Sequence, residues 1–240
     1  MTFSNVTRVK EIALSDPGAR RILEEVGVDY CCGGEKSLQE ACQHADVSSE
    51  EILERLRRNS EQVNPEEAKW VSASLCELTR HIREKHHRYV REASSRVRRL
   101  QQKVVAKHGK NHPELLAIEN LFSQVAQEMI MHMQKEEQIL FPYIEVLERA
   151  ANGDGTVEPP FFQTVRNPIH AMMKEHDAAG DLMKQIRNAS SGYSVPPDGC
   201  ASYHALYNEL SEFEADLHLH VHLENNILFP RAVEMEATAV

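Results

Sequence analysis

His132-Met-Gln-Lys-Glu136-Glu-Gln-Ile-Leu-Phe141-Pro142 and its near copy, His220-Val-His-Leu-Glu224-Asn-Asn-Ile-Leu-Phe229-Pro230, each place a histidine four residues before a carboxylate. On an α-helix, residues i and i+4 share a face. Each copy therefore offers an imidazole and a carboxylate side by side, and two copies in one chain read as a metal site built twice.

Outward from these motifs, residues 69–240 divide into four long helical segments. They are separated by His108-Gly-Lys-Asn-His-Pro113, by the stretch from Asn152 to Pro160, and by the stretch from Ser190 to Gly199. Connections this short turn each helix back beside its predecessor, which predicts an all-α, up-down-up-down four-helix bundle.

The apolar stripes step by three and four. The first helix reads Leu75, Leu78, Ile82, His86, Tyr89, Ala93, Val97, and the second reads Leu121, Val125, Met129, His132, Glu136, Ile139, Tyr143, Leu147. The third reads Val165, Ile169, Met172, His176, Gly180, Met183; the fourth reads Leu206, Leu210, Phe213, Leu217, His220, Glu224, Ile227. Each stripe passes through a histidine, and two also carry a glutamate. Six candidate ligands thus point inward: His86, His132, Glu136, His176, His220 and Glu224. Both halves end in Ile-Leu-Phe-Pro, and Pro142 and Pro230 are expected to kink or end their helices just past the glutamates. Two helix pairs related by a pseudo-twofold axis would hold the ligands between them.

Burying two carboxylates and four imidazoles costs several kcal/mol for each uncompensated charge or unpaired group, and a bound cation supplies the compensation. The set is too large for one tetrahedral zinc and contains no thiolate. Shared between two ions it gives each metal two imidazoles and carboxylates that can bridge, with positions left for an oxo or hydroxo bridge or a small ligand. Iron is the first choice, manganese the main alternative, and zinc fits less well. Glu128 and Asp216, one turn before His132 and His220, are placed to orient the bound imidazoles or to line a route by which iron leaves. His81, His87, His170, His218 and His222 read as supporting or surface groups. His44, His108, His112 and His204 fall in loops or on solvated faces.

The 240 residues carry 27 basic and 37 acidic side chains, a formal charge of −10. That balance argues against nucleic acid or an anionic membrane surface as a general partner. No apolar run approaches membrane-spanning length and the N-terminal residues do not form a signal sequence, so a cytoplasmic protein is expected. Eleven basic residues against two acidic ones lie between Arg80 and Lys110. They form either a solvated face paired with acidic neighbours or a docking face for an acidic client. Five cysteines, at 31, 32, 42, 76 and 200, are an odd number in a chain too large to need stapling, which argues against a disulfide scaffold.

Residues 1–62 have their own punctuation: Ser15-Asp-Pro-Gly18 as a helix entry, Gly27, and Gly33-Gly34 before a capping box at Ser37-Leu-Gln-Glu40. They read as a small helical domain, with a helix over about 48–60 and a linker from Asn59 to Glu67. Within it, adjacent Cys31 and Cys32 are candidate reactive thiols, while Cys42, Cys76 and Cys200 read as packing or surface thiols.

The two His-x3-Glu motifs, Lys174-Glu-His176-Asp-Ala-Ala-Gly180 and Val28-Asp-Tyr-Cys31-Cys32-Gly-Gly together resemble the di-iron iron-sulfur cluster repair family (the RIC, or YtfE/ScdA-like, proteins) over nearly the whole length. The resemblance implies an N-terminal ScdA-type domain at 1–62 and a hemerythrin-like bundle at 69–240. It further implies two irons held by the six residues named above, with Glu136 and Glu224 bridging. Damaged iron-sulfur proteins are the implied partners, repaired by iron donation after nitric oxide or oxidative stress. Sensing or binding of oxygen or nitric oxide, and nitric oxide reduction, are the alternatives at the same centre; a homodimer is compatible with all three. Hemerythrin itself has a less symmetric, more histidine-rich ligand set, which makes a bulk oxygen carrier the weaker expectation.

Overall fold

The computed structural model of the chain describes residues 3–15, 17–59 and 65–239. Short helices come first: α1 (Val9–Ser15), α2 (Pro17–Glu25), α3 (Leu38–Ala45), α4 (Ser49–Asn59) and α5 (Pro65–Ser72). The bundle follows as α6 (Leu75–His81), α7 (Arg88–His108), α8 (Glu114–Lys135), α9 (Phe141–Ala151), α10 (Arg166–Ala189), α11 (Ala201–Leu223) and α12 (Phe229–Ala239). No strand occurs among the described residues; the one β-like pairing is an isolated bridge between Arg8 and Ser37. The all-α expectation holds. Helix α5 begins inside the stretch read as a linker, and residues 60–64, with the boundary at 62, lie outside the described residues. Among the described residues, no helix is long and apolar enough to cross a membrane.

Three joints decide where the site falls. Between α6 and α7, between α8 and α9, and between α11 and α12, the helix widens for one turn into π geometry, at Ile82–His87, Glu136–Leu140 and Glu224–Leu228. The sequence accounts for the last two. Pro142 and Pro230 have no N–H to return to the preceding turn, and the N–H of the residue before each proline reaches one residue further back, Phe141 to the Glu136 carbonyl and Phe229 to that of Glu224. Of the two outcomes expected of these prolines, kinking or ending the helix, ending does not occur: each helix is locally widened and continues, to Ala151 and to Ala239.

A π turn also advances the buried stripe by one residue. After Glu136 the core takes Leu140 and Ile144, leaving Ile139, expected inside, 37% exposed. In the first helix the stripe runs Ile82, His87, Val90, Ala93, Val97.

The long helices pack as a bundle, α7 against α8 and α11, α8 against α10, and α9 against both α6 and α12. Two apolar clusters fill it. One is built from Val90, Phe122, Met129, Met183 and Phe213 and continues into the N-terminal unit through Ile12, Leu23 and Leu38. The other contains Leu78, Ile82, Phe141, Ile169 and Phe229. His87, His132, Glu136, His176, His220 and Glu224 lie between these clusters, so an apolar wall stands on either side of them.

Caps fix the element ends. Ser37 and Glu40 form the capping box read from the sequence, and Ser74 and Glu77 form a second at α6. The N-terminus of α6 is also held from across the bundle: Leu75 N–H donates to Glu148 Oε1 at 2.6 Å and Cys76 N–H to Oε2 at 2.8 Å. Burial raises the Glu148 carboxyl, but the Cys76 thiol and these two amides hold its pKa below the usual carboxylate value. A depressed folded-state pKa gives stability that is present above the unfolded value and lost as pH falls through the folded one. Glu148→Ala is expected to cost about 1–3 kcal/mol at neutral pH, because two buried amides lose their acceptor. The difference from wild type should shrink below about pH 4.5; urea unfolding across that range measures both.

In the basic run, Arg83 pairs with Glu145, Arg91 with Glu137 and Arg96 with Glu209. At these three positions the run is a face paired with acidic neighbours.

Candidate metal centre

Between the two apolar clusters, six buried side chains from four helices converge. His87, Glu136, His220 and Glu224 form one group, and His132, Glu136, His176 and Glu224 form the other; within each, one ligating atom per residue lies within 4.8 Å of all the rest. The two carboxylates belong to both groups, so each group has two imidazoles of its own and two shared glutamates. Exposure of the six is 0–1%.

The spacings are those of atoms arranged around ions. His132 Nε2 stands 3.2 Å from Glu136 Oε2 and 3.0 Å from His176 Nε2; His176 Nε2 is 3.1 Å from Glu224 Oε2, and His220 Nε2 is 3.0 Å from Glu224 Oε1. His87 Nε2 lies 3.4 Å from Glu136 Oε2 and 4.0 Å from Glu224 Oε1. Two donors each about 2.1 Å from a metal and at right angles around it are about 3.0 Å apart. Several of these approaches lack the alignment of a hydrogen bond. His87 Nε2, both carboxylate oxygens of Glu136 and Oε2 of Glu224 are fully buried with no hydrogen-bond partner. Orphaned polar atoms in a dry interior are costly. These atoms belong to the two donor groups, and a bound cation would satisfy them, so the residues present fit a metal.

Electrostatics agree. Burial lowers the affinity of His87 and His132 for protons, but Glu136 and Glu224, joined at His132 by Glu175, more than reverse this and lift the imidazoles to about 9 and about 10. Burial and the Glu224 charge push Glu136 up, yet His132 and His87 pull it below the usual carboxylate range. Glu224, raised by burial, is drawn well below that range by His220 and His176. The site thus keeps two carboxylates ionised inside an apolar shell. A metal ion bound by these residues would compete with protons for the His87 and His132 nitrogens, so its binding would release protons.

The outer nitrogens of three of these imidazoles are held from neighbouring helices. His87 Nδ1 meets Glu137 Oε1 at 2.7 Å, His132 Nδ1 meets Glu175 Oε2 at 3.0 Å, and His176 Nδ1 meets Asn225 Oδ1 at 2.9 Å. Such partners set the tautomer and ring orientation that presents Nε2 to a metal.

The structure brings His132, Glu136, His176, His220 and Glu224 of the expected six together, and it leaves one out. His86 lies in neither group. It is buried, its Nδ1 is bound to Asp216 Oδ1 at 2.9 Å, and its ring is stacked on that of His220 with centroids 5.6 Å apart. His87, read as a supporting group, takes its place, because the π turn from Ile82 inserts one residue and rotates the next position inward. The orienting roles assigned to Glu128 and Asp216 are also corrected. Glu128 is exposed, Asp216 holds His86, and Glu137, Glu175 and Asn225 do the orienting. Glu137 and Asn225 were discoverable as the polar residues immediately after Glu136 and Glu224; Glu175 directly precedes His176.

The histidines flanking His220 turn away from it, as their i±2 spacing requires, and meet the N-terminal unit. Tyr30 stacks edge-on against His222 and His218, with centroids 5.5 and 6.2 Å apart, and His218 Nδ1 pairs with Glu24 at 3.2 Å. The same contact region carries the Cys-Cys loop. Asp29 gathers the backbone N–H groups of Cys31, Cys32 and Gly33 at 2.9–3.0 Å. Asn225 Nδ2 donates to the Cys31 carbonyl at 3.2 Å and Asn226 Nδ2 to that of Tyr30 at 3.1 Å. A Cβ on Gly34 would stand 2.9 Å from the Tyr30 carbonyl, so glycine is required for this docking. One side chain, Asn225, therefore touches both the cysteine loop and an imidazole of the centre. Beside the loop opens a cleft of about 540 Å³ lined by Cys31, Cys32, Asp177, Lys184 and His218.

The Cys31 and Cys32 sulfurs are 3.9 Å apart. The hydrogen bond to Cys32, burial and the Asp29 charge all push the Cys31 thiol well above its usual pKa. It is held as a thiol, without the lowered pKa that activation brings. Cys200, read as a packing or surface thiol, is the opposite case: beside His108 its pKa falls to about 7. His81 stacks on Trp70 at 4.0 Å, and His170 is exposed.

A helical bundle with two buried, carboxylate-linked imidazole groups is a cation-binding bundle of the hemerythrin type, and the hemerythrin HHE cation binding domain matches residues 78–232. Residues 5–60 match the N-terminal ScdA domain, a domain of unknown function. The chain is 34% identical over 234 residues to the probable iron-sulfur cluster repair protein of Haemophilus influenzae, covering 97% of this chain and 99% of that one. It is likewise 34% identical over 226 residues to the iron-sulfur cluster repair protein YtfE of Escherichia coli and of Citrobacter koseri, covering 94% of this chain and 96% of each. The chain belongs to this iron-sulfur cluster repair family of hemerythrin-like proteins.

Proposed function

We propose that this protein carries two iron ions at the centre and delivers iron to iron-sulfur clusters damaged by nitric oxide or oxidants. The observation that carries the reading is the pair of donor groups sharing Glu136 and Glu224. The names of the relatives, all iron-sulfur cluster repair proteins, point the same way. Iron is here both the resident ion and the cargo. Nitrogen and carboxylate donors hold divalent iron less tightly than most later first-row ions, which suits a site that must give its ion up. His87, His132, His176 and His220 would each supply one Nε2, and the two glutamates would span both ions. Glu137, Glu175 and Asn225 keep the rings in register. The cysteine loop, tied to His176 through Asn225, would couple the N-terminal unit to the centre, with damaged iron-sulfur proteins as the clients.

The test is reconstitution. Protein holding two irons per chain should restore activity to an enzyme whose cluster has been destroyed by nitric oxide, and should lose iron as it does so. If only free iron with reductant restores the enzyme, donation is refuted. A reversible nitric oxide or oxygen adduct with full iron retention would establish sensing instead, and sustained consumption of nitric oxide with an electron donor would establish an enzyme.

A further inference from the structure

A second cluster of ligating side chains lies at the other end of the bundle and has no part in the centre just described. His108, at the C-terminus of α7, is separated from His87 by the length of that helix, about 30 Å at 1.5 Å per residue. Its neighbours come from two different connections. His112 follows in the turn between α7 and α8, and Asp198 lies in the turn before α11.

Backbone hydrogen bonds fix all three positions. His112 N–H returns to the His108 carbonyl at 2.9 Å, and Gly199 N–H returns to that of Pro196 at 2.8 Å. At Gly199 an added Cβ would stand 2.3 Å from Val195 Cγ1 and 2.9 Å from the Pro196 carbonyl, so the turn presenting Asp198 requires glycine. His112 Nε2 is 3.0 and 3.1 Å from the two Asp198 oxygens. Its Nδ1 is held by Glu114 Oε1 at 3.1 Å. One ligating atom from each of His108, His112 and Asp198 lies within 4.8 Å of the others.

An ion pair between His112 and Asp198 accounts for those two residues but not for His108. The His108 ring is 7% exposed, packs edge-on to Tyr203 with centroids 5.4 Å apart, and its Nε2 is buried with no hydrogen-bond partner. A buried imidazole nitrogen without a hydrogen bond, beside another imidazole and a carboxylate, has the character of a metal-ligating group. Glu114 on the outer nitrogen of His112 gives that ring the carboxylate-imidazole arrangement common at metal sites.

We infer that His108, His112 and Asp198 form a binding site for a divalent transition-metal ion of the zinc class, independent of the di-iron centre. Two imidazoles and one carboxylate match the nitrogen and oxygen preferences of zinc and leave a fourth position for water. The ion would join the connection between α7 and α8 to the connection between α10 and α11. Bound there, it ties the two halves of the bundle together at the end far from the iron.

Protein with its irons in place, titrated with Co2+ as a spectroscopic substitute, should take up one further ion per chain. It should show the strong visible bands of a low-symmetry four-coordinate site, and Zn2+ should abolish them. Asp198→Asn, at an exposed position that leaves folding intact, and His108→Gln should each weaken this binding at least tenfold with iron content unchanged. His204→Gln, on an exposed histidine nearby, should not weaken it. The inference is overturned if wild type takes up no third ion, or if Asp198→Asn binds it as wild type does.

Discussion

Protein carrying His87→Leu is expected to retain about one iron per chain or less, whereas His86→Leu retains two. The adjacent histidines differ in where their free nitrogen points. His87 Nε2 faces Glu136 and Glu224 at 3.4 and 4.0 Å, while His86 is bound to Asp216 and lies outside both donor groups. Loss of a residue that merely orients a ligand costs 10–100-fold in metal affinity, so loss of the ligand itself should exceed about 100-fold at the ion it serves. His86→Leu removes a buried hydrogen bond and should cost about 1–3 kcal/mol of stability while leaving affinity within roughly tenfold of wild type. Iron analysis after dialysis against a chelator, together with urea unfolding, separates the two effects. Iron loss in His86→Leu with full retention in His87→Leu would reverse the assignment.

The second large effect concerns the shared carboxylates. Glu224→Leu and Glu136→Leu should each deplete both irons, while His132→Leu, on one group only, should spare part of the iron of the other. The reason is geometric: Glu136 and Glu224 are the two residues common to both donor groups. Iron should also cease to stabilise these variants. For wild type, free iron at about a thousand times its dissociation constant contributes about 4 kcal/mol, or roughly 8–16 °C in a chain of this size. Glu224→Leu should show almost none of that shift. Its metal-free form should itself be less stable by about 3–5 kcal/mol, because His220 and His176 lose a buried ionic partner. His218→Leu, at the contact with Glu24, should leave iron content unchanged. Scanning calorimetry with and without iron reads the shift. Equal iron-induced shifts in Glu224→Leu and wild type would remove the shared role.

Much of the centre follows from helical period alone. A histidine and a glutamate four apart must share a face, so His132 with Glu136 and His220 with Glu224 were legible as pairs before any packing was known. His176 was legible because Ile169, Met172 and Met183 on the same helix run in register with it. Local rules of this kind also placed the capping box at Ser37 and Glu40, since hydrogen bonds within a few residues determine it.

Choosing between His86 and His87 was beyond such rules. On a regular helix the stripe from Ile82 falls on His86; on a helix widened by one π turn it falls on His87, which then packs against Phe141 and His220. The orienting partners Glu137, Glu175 and Asn225 lie 43–50 residues from the imidazoles they hold, distances over which periodicity carries no information. The sequence by itself determined an all-α chain whose bundle turns two His-x3-Glu motifs inward. Only the tertiary structure decided which neighbouring histidine completes the set, which groups steady it, and that the cysteine loop rests on Asn225, because these are contacts between elements that no single helix specifies.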